Sequence, residues 1–277
     1  MRVVRNTFLS LLSGAAVLTL GAAVAGAAPT VVRAAGGDVG TAVADFQALL
    51  GEPNNGNAPG PIAGGRRQIN WDAGIVPFDM PPDFFNNPAF PPTRGAVFNT
   101  PSGEFRVSND GIDNEFDTFN PDNPNQFDTF SAPRLFAPLG SNIFEVEFFV
   151  PATDTPGKVS GFAAIFTDVD LENTTKIEWF DPVGDLLLTE FVDPDPQGLS
   201  FLGAVFSTER VGSARITLGN ALLGASDGGG TDVVVVDDLL YGEPAEVAVP
   251  EPRTLALLAF GLVGFALLRT RSKQSRP

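Results

Sequence analysis

Residues 232–241 read DVVVVDDLLY, and this stretch decides the fold. From Val233 onward, apolar residues occupy both sets of alternating positions, which is the pattern of a strand that is buried on both faces. We therefore predict that this strand lies inside a sheet. Asp237 and Asp238 interrupt the apolar run, and in a regular strand they point to opposite faces, so one carboxylate is expected in the interior.

That interior carboxylate requires a partner, because an unpaired buried charge is strongly destabilising. The sequence leaves three kinds of partner open: a bound cation, several backbone amides, or an arginine such as Arg106, Arg134 or Arg215. The cost of burying a charge favours a structural pair or a hydrogen-bonded acid over a metal.

The chain after residue 65 is typical of an all-β protein, because short apolar or alternating runs are separated by the turn formers Pro, Gly, Asn and Asp. Nine short strands predict a jelly-roll-like antiparallel β-sandwich over residues 66–245. The predicted strands are 96–99, 105–108, 142–150, 159–167, 176–180, 186–192, 200–206, 214–218 and 232–241. The aromatic residues expected on the inner faces are Phe144, Phe148, Phe162, Phe166, Phe201 and Phe206.

A shorter segment precedes this domain. Residues 38–51 carry apolar residues at helical spacing and end in glycine, which predicts one short helix. Residues 54–65 consist almost entirely of Asn, Pro, Gly and Ala, a composition typical of a linker or an extended loop. We assign residues 28–65 to an N-terminal helix and linker.

The composition of the 277 residues excludes several classes of function. The chain contains neither cysteine nor histidine, which excludes disulfides, Cys or His metal sites and catalytic triads with a histidine base. A net charge of −16 argues against a nucleic-acid partner, since phosphate binding requires a basic surface. Residues 28–250 hold 10 basic and 32 acidic residues, a net charge near −22.

The N-terminus has the pattern of a secretory signal peptide. Arg2 and Arg5 precede an apolar run over residues 8–24, and the small residues 25–27 follow. We expect signal peptidase to cleave after Ala27, so that residues 1–27 are removed. An uncleaved N-terminal anchor is the less favoured alternative, because the run approaches the length of a membrane span.

The C-terminal segment, residues 246–277, has the pattern of a membrane anchor. Residues 254–268 are uncharged, and a helix of this length rises about 22 Å, short of the hydrocarbon core of about 30 Å, so hydropathy alone leaves a buried helix possible. Four cations among the last nine residues decide the question, because the positive-inside rule keeps them in the cytoplasm. We predict a single-pass transmembrane helix with the rest of the chain outside the inner membrane.

Two prolines stand before this helix. Pro250 and Pro252 lack amide donors and favour extended backbone, so Pro250-Glu251-Pro252 offers an exposed strip to a processing enzyme. The strip, the short hydrophobic helix and the Arg-rich end together resemble the PEP-CTERM sorting signal of Gram-negative bacteria. The resemblance implies recognition by an exosortase, removal of the tail, and delivery to the cell surface or an exopolysaccharide matrix. An ordinary C-terminal anchor is the alternative.

The preceding domain also resembles extracellular domains of unknown activity that are attached to PEP-CTERM tails. The matching stretches are residues 66–72 (RRQINWD), 127–131 (FDTFS), 161–170 (GFAAIFTDVD) and 236–242 (VDDLLYG). This resemblance implies an extracellular location and no particular chemistry.

Because the chain has no cysteine or histidine, carboxylates are the candidate groups for binding a metal ion. Asp168 and Asp170 follow an apolar strand, and their spacing of two places both side chains on one face if the strand continues. Together with Glu172 and Asn173 they suggest a calcium site, and Asp237 and Asp238 suggest another, since calcium prefers oxygen ligands. The alternative is that Asp168 and Asp170 are turn-capping acids, which are common in loops.

We therefore expect an exported, exosortase-sorted structural protein of the cell surface or of an exopolysaccharide matrix. The alternative is a calcium-dependent module that binds carbohydrate or matrix, in which Trp71, Trp179 and Tyr241 stack on sugar rings; the same residues also fit a core. A glycoside hydrolase that uses two carboxylates is the least favoured reading, because the many acids single out no pair. The expected partners are signal peptidase, exosortase and, through the C-terminal helix before processing, the membrane. Exopolysaccharide is a further candidate partner.

Overall fold

The computed structural model describes residues 27–89, 93–108, 126–208 and 210–247. The predicted signal peptide up to residue 26 and the predicted C-terminal helix lie outside these ranges. Among the described residues, no helix combines the length and the apolar character that a membrane crossing needs.

The described residues form fourteen strands and one α-helix. The helix α1 spans Val39–Leu50 and follows a single 3-10 turn, Gly36–Asp38. The strands are β1 (Thr30–Ala35), β2 (Arg66–Ile69), β3 (Ala96–Asn99), β4 (Phe105–Val107), β5 (Phe136–Pro138), β6 (Ile143–Phe148), β7 (Gly157–Lys158), β8 (Gly161–Val169), β9 (Lys176–Phe180), β10 (Leu186–Phe191), β11 (Asp195–Val205), β12 (Ser213–Thr217), β13 (Val235–Gly242) and β14 (Ala245–Glu246).

The strands make two large antiparallel sheets and one small one. The seven-stranded sheet has the order β1-β11-β8-β13-β5-β4, and β2 also pairs with β13. The five-stranded sheet has the order β10-β9-β12-β6-β3, and β14 pairs with β7. The predicted inner strand is therefore confirmed: β13 has neighbours on both sides, and all eight of its residues are buried.

One hydrophobic core joins the two large sheets. Phe162 and Phe166 of β8 contribute to it from the seven-stranded sheet, and Phe144, Phe148 and Trp179 contribute from the five-stranded sheet. The rings of Phe148 and Phe162 lie 5.9 Å apart between centroids. The two sheets therefore form a β-sandwich-like unit, because side chains of both sheets fill one core.

Helix α1 covers the other face of the seven-stranded sheet. Ala163 and Ile165, which alternate with the core-facing residues of β8, pack in the cluster that contains the helix. Phe46 of α1 meets Phe201 edge to face at 5.5 Å. Gly203 permits this close approach, because a Cβ there would lie 2.6 Å from the Phe46 ring and 2.5 Å from the Ala163 Cβ.

The expectation of a mostly β fold with antiparallel sheets and one short helix is confirmed. All nine predicted strands are present, although β11 begins at Asp195 rather than at residue 200. The sequence missed β1, β2, β5, β7 and β14. The six expected phenylalanines are buried, with Phe201 under the helix rather than between the sheets.

Residues 30–50 belong to the same folded unit as the residues after 66. Strand β1 pairs with β11 from Thr30 opposite Val205 to Ala35 opposite Ser200. Helix α1 buries its apolar face on the same sheet. The segment assigned from sequence to an N-terminal helix and linker thus supplies an edge strand and a covering layer.

A β-bulge in β13 corrects one prediction. Val236 pairs with Phe166 and Leu239 with Ala164, so that Asp237 and Asp238 together oppose a single residue of β8. Such a bulge interrupts the alternation of a regular strand. The expectation that only one of the two acids lies inside is therefore wrong, since both are buried.

Candidate functional site

The described residues bury five carboxylates: Asp168, Asp232, Asp237, Asp238 and Glu243. Asp168 and Asp232 lie at the end of β8, Asp237 and Asp238 lie on β13, and Glu243 follows β13. We call Asp168 with the half-buried Asp170 and Asp227 the β8 acid cluster, and Asp237 with Asp238 the β13 acid pair. Glu243 belongs to an ion pair described below.

The β8 acid cluster brings three carboxylates together at the end of β8. One oxygen from each of Asp168, Asp170 and Asp227 lies within 4.8 Å of the other two. Asp168 has a left-handed backbone, with φ of 64°, a conformation that aspartate tolerates better than most residues. Strand β11 carries an insertion opposite it, residues 196–198, and the Gln197 N–H donates to Asp168 Oδ1 at 2.8 Å.

Asp227 reaches the cluster from a glycine-rich loop that precedes β13. Gly228 and Thr231 exchange two backbone hydrogen bonds, of 3.0 and 3.2 Å, which close a tight turn just after Asp227. The Val233 N–H donates to Asp227 Oδ1 at 3.0 Å. The turn and this hydrogen bond hold the Asp227 side chain towards the end of β8.

Asp232 fixes the chain that carries Asp170. Its Oδ1 accepts the Asp170 N–H at 3.1 Å, and its Oδ2 accepts the Leu171 N–H at 3.4 Å and the Thr174 hydroxyl. Its carboxylate is therefore satisfied by donors from the turn after β8. Asp232 thereby positions the backbone of Asp170, and it needs no cation because both of its oxygens already accept hydrogen bonds.

The β8 acid cluster holds uncompensated negative charge. Asp168 is 1% exposed, yet its Oδ2 has no hydrogen-bond partner. Burial raises the pKa of Asp168, and the hydrogen bond from Gln197 opposes that rise. Burial, followed by the charges of Asp168 and Asp227, raises the pKa of Asp170 to about 7. In the described part of the chain, no arginine or lysine forms an ion pair with these acids.

The β13 acid pair is, by contrast, fully hydrogen-bonded. Asp237 Oδ2 accepts the N–H groups of Phe130 and Ser131 at 2.6 and 3.3 Å. The Ser131 hydroxyl lies 3.2 Å from Asp237 Oδ1 and 2.7 Å from Asp238 Oδ1, and Gln68 donates to Asp238 Oδ2 at 2.8 Å. The partners are thus amides and a hydroxyl, whereas Arg106 and Arg215, two of the arginines considered from the sequence, pair with other acids.

Burial, followed by the charge of the neighbouring Asp238, raises the pKa of Asp237 to about 9. Two adjacent carboxyl groups in a low-dielectric interior do not both ionise readily, so the pair retains one proton at neutral pH. Asp72, whose pKa burial also raises, interacts unfavourably with Asp238, and the partly buried Arg94 interacts favourably with it.

The distinctive stretch at residues 66–72 serves β13. Arg67 forms a buried bidentate ion pair with Glu243, with two contacts of 2.7 Å. Gln68 binds Asp238 as described above, and the Trp71 indole N–H donates to the Asp237 carbonyl oxygen. The Trp71 ring also stacks on Phe136 at 4.1 Å. This stretch therefore holds β2 against β13.

The outer face of the five-stranded sheet carries two open clefts, of about 400 and 250 Å³. Glu145 lines both, and Glu147 lines the larger one. Glu145 accepts the Ser213 hydroxyl at 2.7 Å and lies 3.6 Å from the Arg215 guanidinium. Burial, and then the neighbouring Glu145, raises the pKa of Glu147. These clefts have a mixed polar and apolar lining, and their acids already have partners.

The aromatic residues considered as sugar-stacking groups do not line this face. Trp71, Trp179 and Tyr241 are all in the core. The Trp179 indole donates to the Phe162 carbonyl at 3.1 Å, and the Tyr241 hydroxyl donates to the Arg94 carbonyl at 3.0 Å. They are therefore packing residues whose polar atoms are satisfied inside the protein.

The structure thus brings Asp168 and Asp170 together, and places Asp237 and Asp238 in a separate pair. Glu172 and Asn173, considered as further ligands, are exposed and are not in the cluster. Sequence reasoning missed Asp227. The only available signal was its position before three glycines and an apolar run. Ala27 precedes β1, and the processing residues Pro250, Glu251 and Pro252 lie outside the described residues.

Comparison with known proteins concerns the C-terminus first. A family model for the PEP-CTERM protein-sorting motif matches residues 248–272. The chain carries a PEP-CTERM sorting motif. The motif implies that exosortase recognises the protein, which is exported and processed at the membrane. The resemblance noted in the sequence is therefore confirmed for this segment.

The folded domain has weaker matches. No curated protein matches the chain. Among solved structures, a mutant of a family 29 carbohydrate-binding module shares 12% identity, with 47% of this chain and 90% of that chain covered and a TM-score of 0.25. A likeness at this TM-score carries no argument for fold or for ligand.

Proposed function

We propose that this protein is a structural component of the cell surface or of the exopolysaccharide matrix of a Gram-negative bacterium, delivered there by exosortase. The observation that carries the proposal is the PEP-CTERM motif at residues 248–272, immediately after the last described residue, Val247. A domain with a continuous core and a large excess of acidic residues is suited to a solvated extracellular location.

The proposal includes finer features that rest on the sequence. Signal peptidase releases the N-terminus after Ala27, and a single-pass helix within residues 246–277 anchors the protein until exosortase removes it. The domain is a jelly-roll-like sandwich, and it carries no enzymatic activity.

The test uses the full chain expressed in a Gram-negative host that has an exosortase. Replacing Pro250, Glu251 and Pro252 together by alanine is expected to retain the protein in the inner membrane, while the wild type reaches the surface. Glu246→Gln is the matched control, because Glu246 is an exposed acid just before the motif. Cell fractionation and intact-mass analysis provide the measurement.

Three results contradict the proposal. Wild-type surface material that still contains residues 255–268 contradicts processing, and wild-type protein in the cytosol contradicts export. Surface delivery of the triple variant at the wild-type level contradicts recognition of the Pro-Glu-Pro strip.

A calcium-dependent carbohydrate-binding module is the second candidate. The two open clefts on the outer face of the five-stranded sheet favour it. The burial of Trp71, Trp179 and Tyr241 weighs against it, because these residues cannot stack on a sugar from the core. A glycan array probed with the full chain, with and without calcium, separates this candidate from a purely structural role.

A further inference from the structure

We propose that Asp168, Asp170 and Asp227 bind one calcium ion at the end of β8. Three carboxylate oxygens lie within 4.8 Å of one another, and the Asp168 side chain, which is 1% exposed, has an oxygen without any hydrogen-bond partner. The site goes beyond the proposed export and sorting, and it does not depend on them.

The contrast with the β13 acid pair indicates which of the buried acids lacks a ligand. Each of the four oxygens of Asp237 and Asp238 lies within hydrogen-bond distance of a neighbouring amide or of the Ser131 hydroxyl, which donates its one proton to one of them. Asp168 Oδ1 accepts the Gln197 N–H, and the Gln126 side chain also interacts with this carboxyl group, but Oδ2 has no partner within hydrogen-bond geometry. A buried carboxylate oxygen without a donor is costly, and a cation placed among the three acids removes that cost.

The ligand types favour calcium. Calcium binds six to eight oxygens, including carboxylates and water, at about 2.3–2.6 Å in a flexible geometry. Magnesium requires near-ideal octahedral geometry at about 2.0–2.1 Å, which a site of three carboxylates from two separate segments is less suited to provide. The half-buried Asp170 and Asp227 leave room for water to complete the coordination of calcium.

The fold orients the ligands before any ion binds. Asp168 and Asp227 each use Oδ1 to accept a backbone N–H, from Gln197 and Val233 respectively. Asp232 holds the backbone at Asp170. A cation bound here joins the end of β8 to the loop that leads into β13, and these two strands are neighbours in the middle of the seven-stranded sheet.

The experiment is equilibrium dialysis of the purified full chain in detergent, after treatment with a chelator. Calcium chloride is titrated to about 10 mM, because extracellular calcium modules bind with Kd of about 0.1–1 mM. We expect one calcium per wild-type chain. Asp227→Asn, which can still accept the Val233 N–H, is expected to weaken binding at least about tenfold. Asp45→Asn is the matched control, since Asp45 is exposed on α1.

Thermal unfolding provides a second readout. Calcium is expected to raise the Tm of the wild type by several degrees more than magnesium or sodium at matched ionic strength, and Asp227→Asn is expected to lose this excess. If circular dichroism shows that Asp227→Asn is unfolded, Asp170→Asn replaces it, and wild-type stoichiometry decides alone if neither variant folds. Absence of saturable binding to the wild type overturns the proposal. Undiminished binding in a folded variant, or equal Tm shifts from calcium and magnesium, also overturns it.

Discussion

Replacement of Asp237, a fully buried residue, by asparagine is expected to make the stability of the protein fall less steeply as the pH rises. The raised pKa of about 9 means that folded Asp237 keeps its proton over most of the neutral range. In the unfolded chain the same group ionises near its ordinary pKa of 3.8. Unfolding therefore releases a proton at any pH between these two values.

The sign and size of the effect follow from this difference. The stability contributed by the protonated form is fully present below about pH 3.8 and declines as the pH rises towards about 9. One proton corresponds to at most about 1.4 kcal/mol per pH unit, or about 2.7 kcal/mol between pH 6 and pH 8. Asparagine keeps an acceptor for the Phe130 N–H and offers an amide donor to Asp238, so its contribution does not change with pH.

Urea unfolding followed by tryptophan fluorescence measures this difference, because Trp71 and Trp179 are both buried. The wild type, Asp237→Asn and the surface control Asp45→Asn are compared at about pH 6, 7 and 8 with a chelator present, so that metal binding does not contribute. The free energy of unfolding of Asp237→Asn is expected to fall less steeply with pH than that of the wild type. Parallel pH profiles for the wild type and Asp237→Asn would refute the reasoning, since they would mean that Asp237 is ionised in the folded protein.

Three further substitutions test the packing, each by urea unfolding. Phe46→Ala is expected to lower the free energy of unfolding by about 3–5 kcal/mol, because it removes the ring that anchors α1. Its control, Leu49→Ala on the exposed side of the helix, is expected to change stability by less than about 0.5 kcal/mol. Equal effects of the two substitutions would contradict the docking of α1. Gly203→Val is expected to cost about 1–3 kcal/mol through overpacking under the helix, and a neutral result would contradict the close approach. Glu243→Ala is expected to cost about 3–5 kcal/mol because it leaves Arg67 buried without its carboxylate, and a loss below about 1 kcal/mol would mean that water reaches the guanidinium.

The central strands could be predicted from the sequence because burial on both faces leaves a continuous apolar run. Strands β8 and β13 show this run directly. Strand β2 could not be found in this way, because it begins with two arginines whose burial depends on partners outside the strand. The carboxylate that accepts Arg67 lies 176 residues away along the chain. The two charged residues in this short segment therefore made β2 unrecognisable from the sequence, although tertiary contacts stabilise it.

The candidate calcium site was predictable only in part for a similar reason. Asp168 and Asp170 are close in sequence, which was enough to predict that they lie together, although the left-handed backbone of Asp168 breaks the strand alternation assumed in that prediction. Asp227 joins them because β8 and β13 are neighbours, and a single sequence contains no signal for that pairing. The β-bulge at Asp237 and Asp238 was equally hidden, since it depends on how β13 is matched to β8.

Strand β14 limits the length of unpaired chain between the folded domain and the sorting motif. The Val247 N–H donates to the Pro156 carbonyl at 3.2 Å, so the chain is held by the domain up to that residue. Three residues then reach Pro250, and they span at most about 11 Å in any conformation. An enzyme that recognises Pro250-Glu251-Pro252 would therefore have to approach the domain surface around β7 and β14. A product cut beside Pro250 would carry almost no free chain beyond the domain.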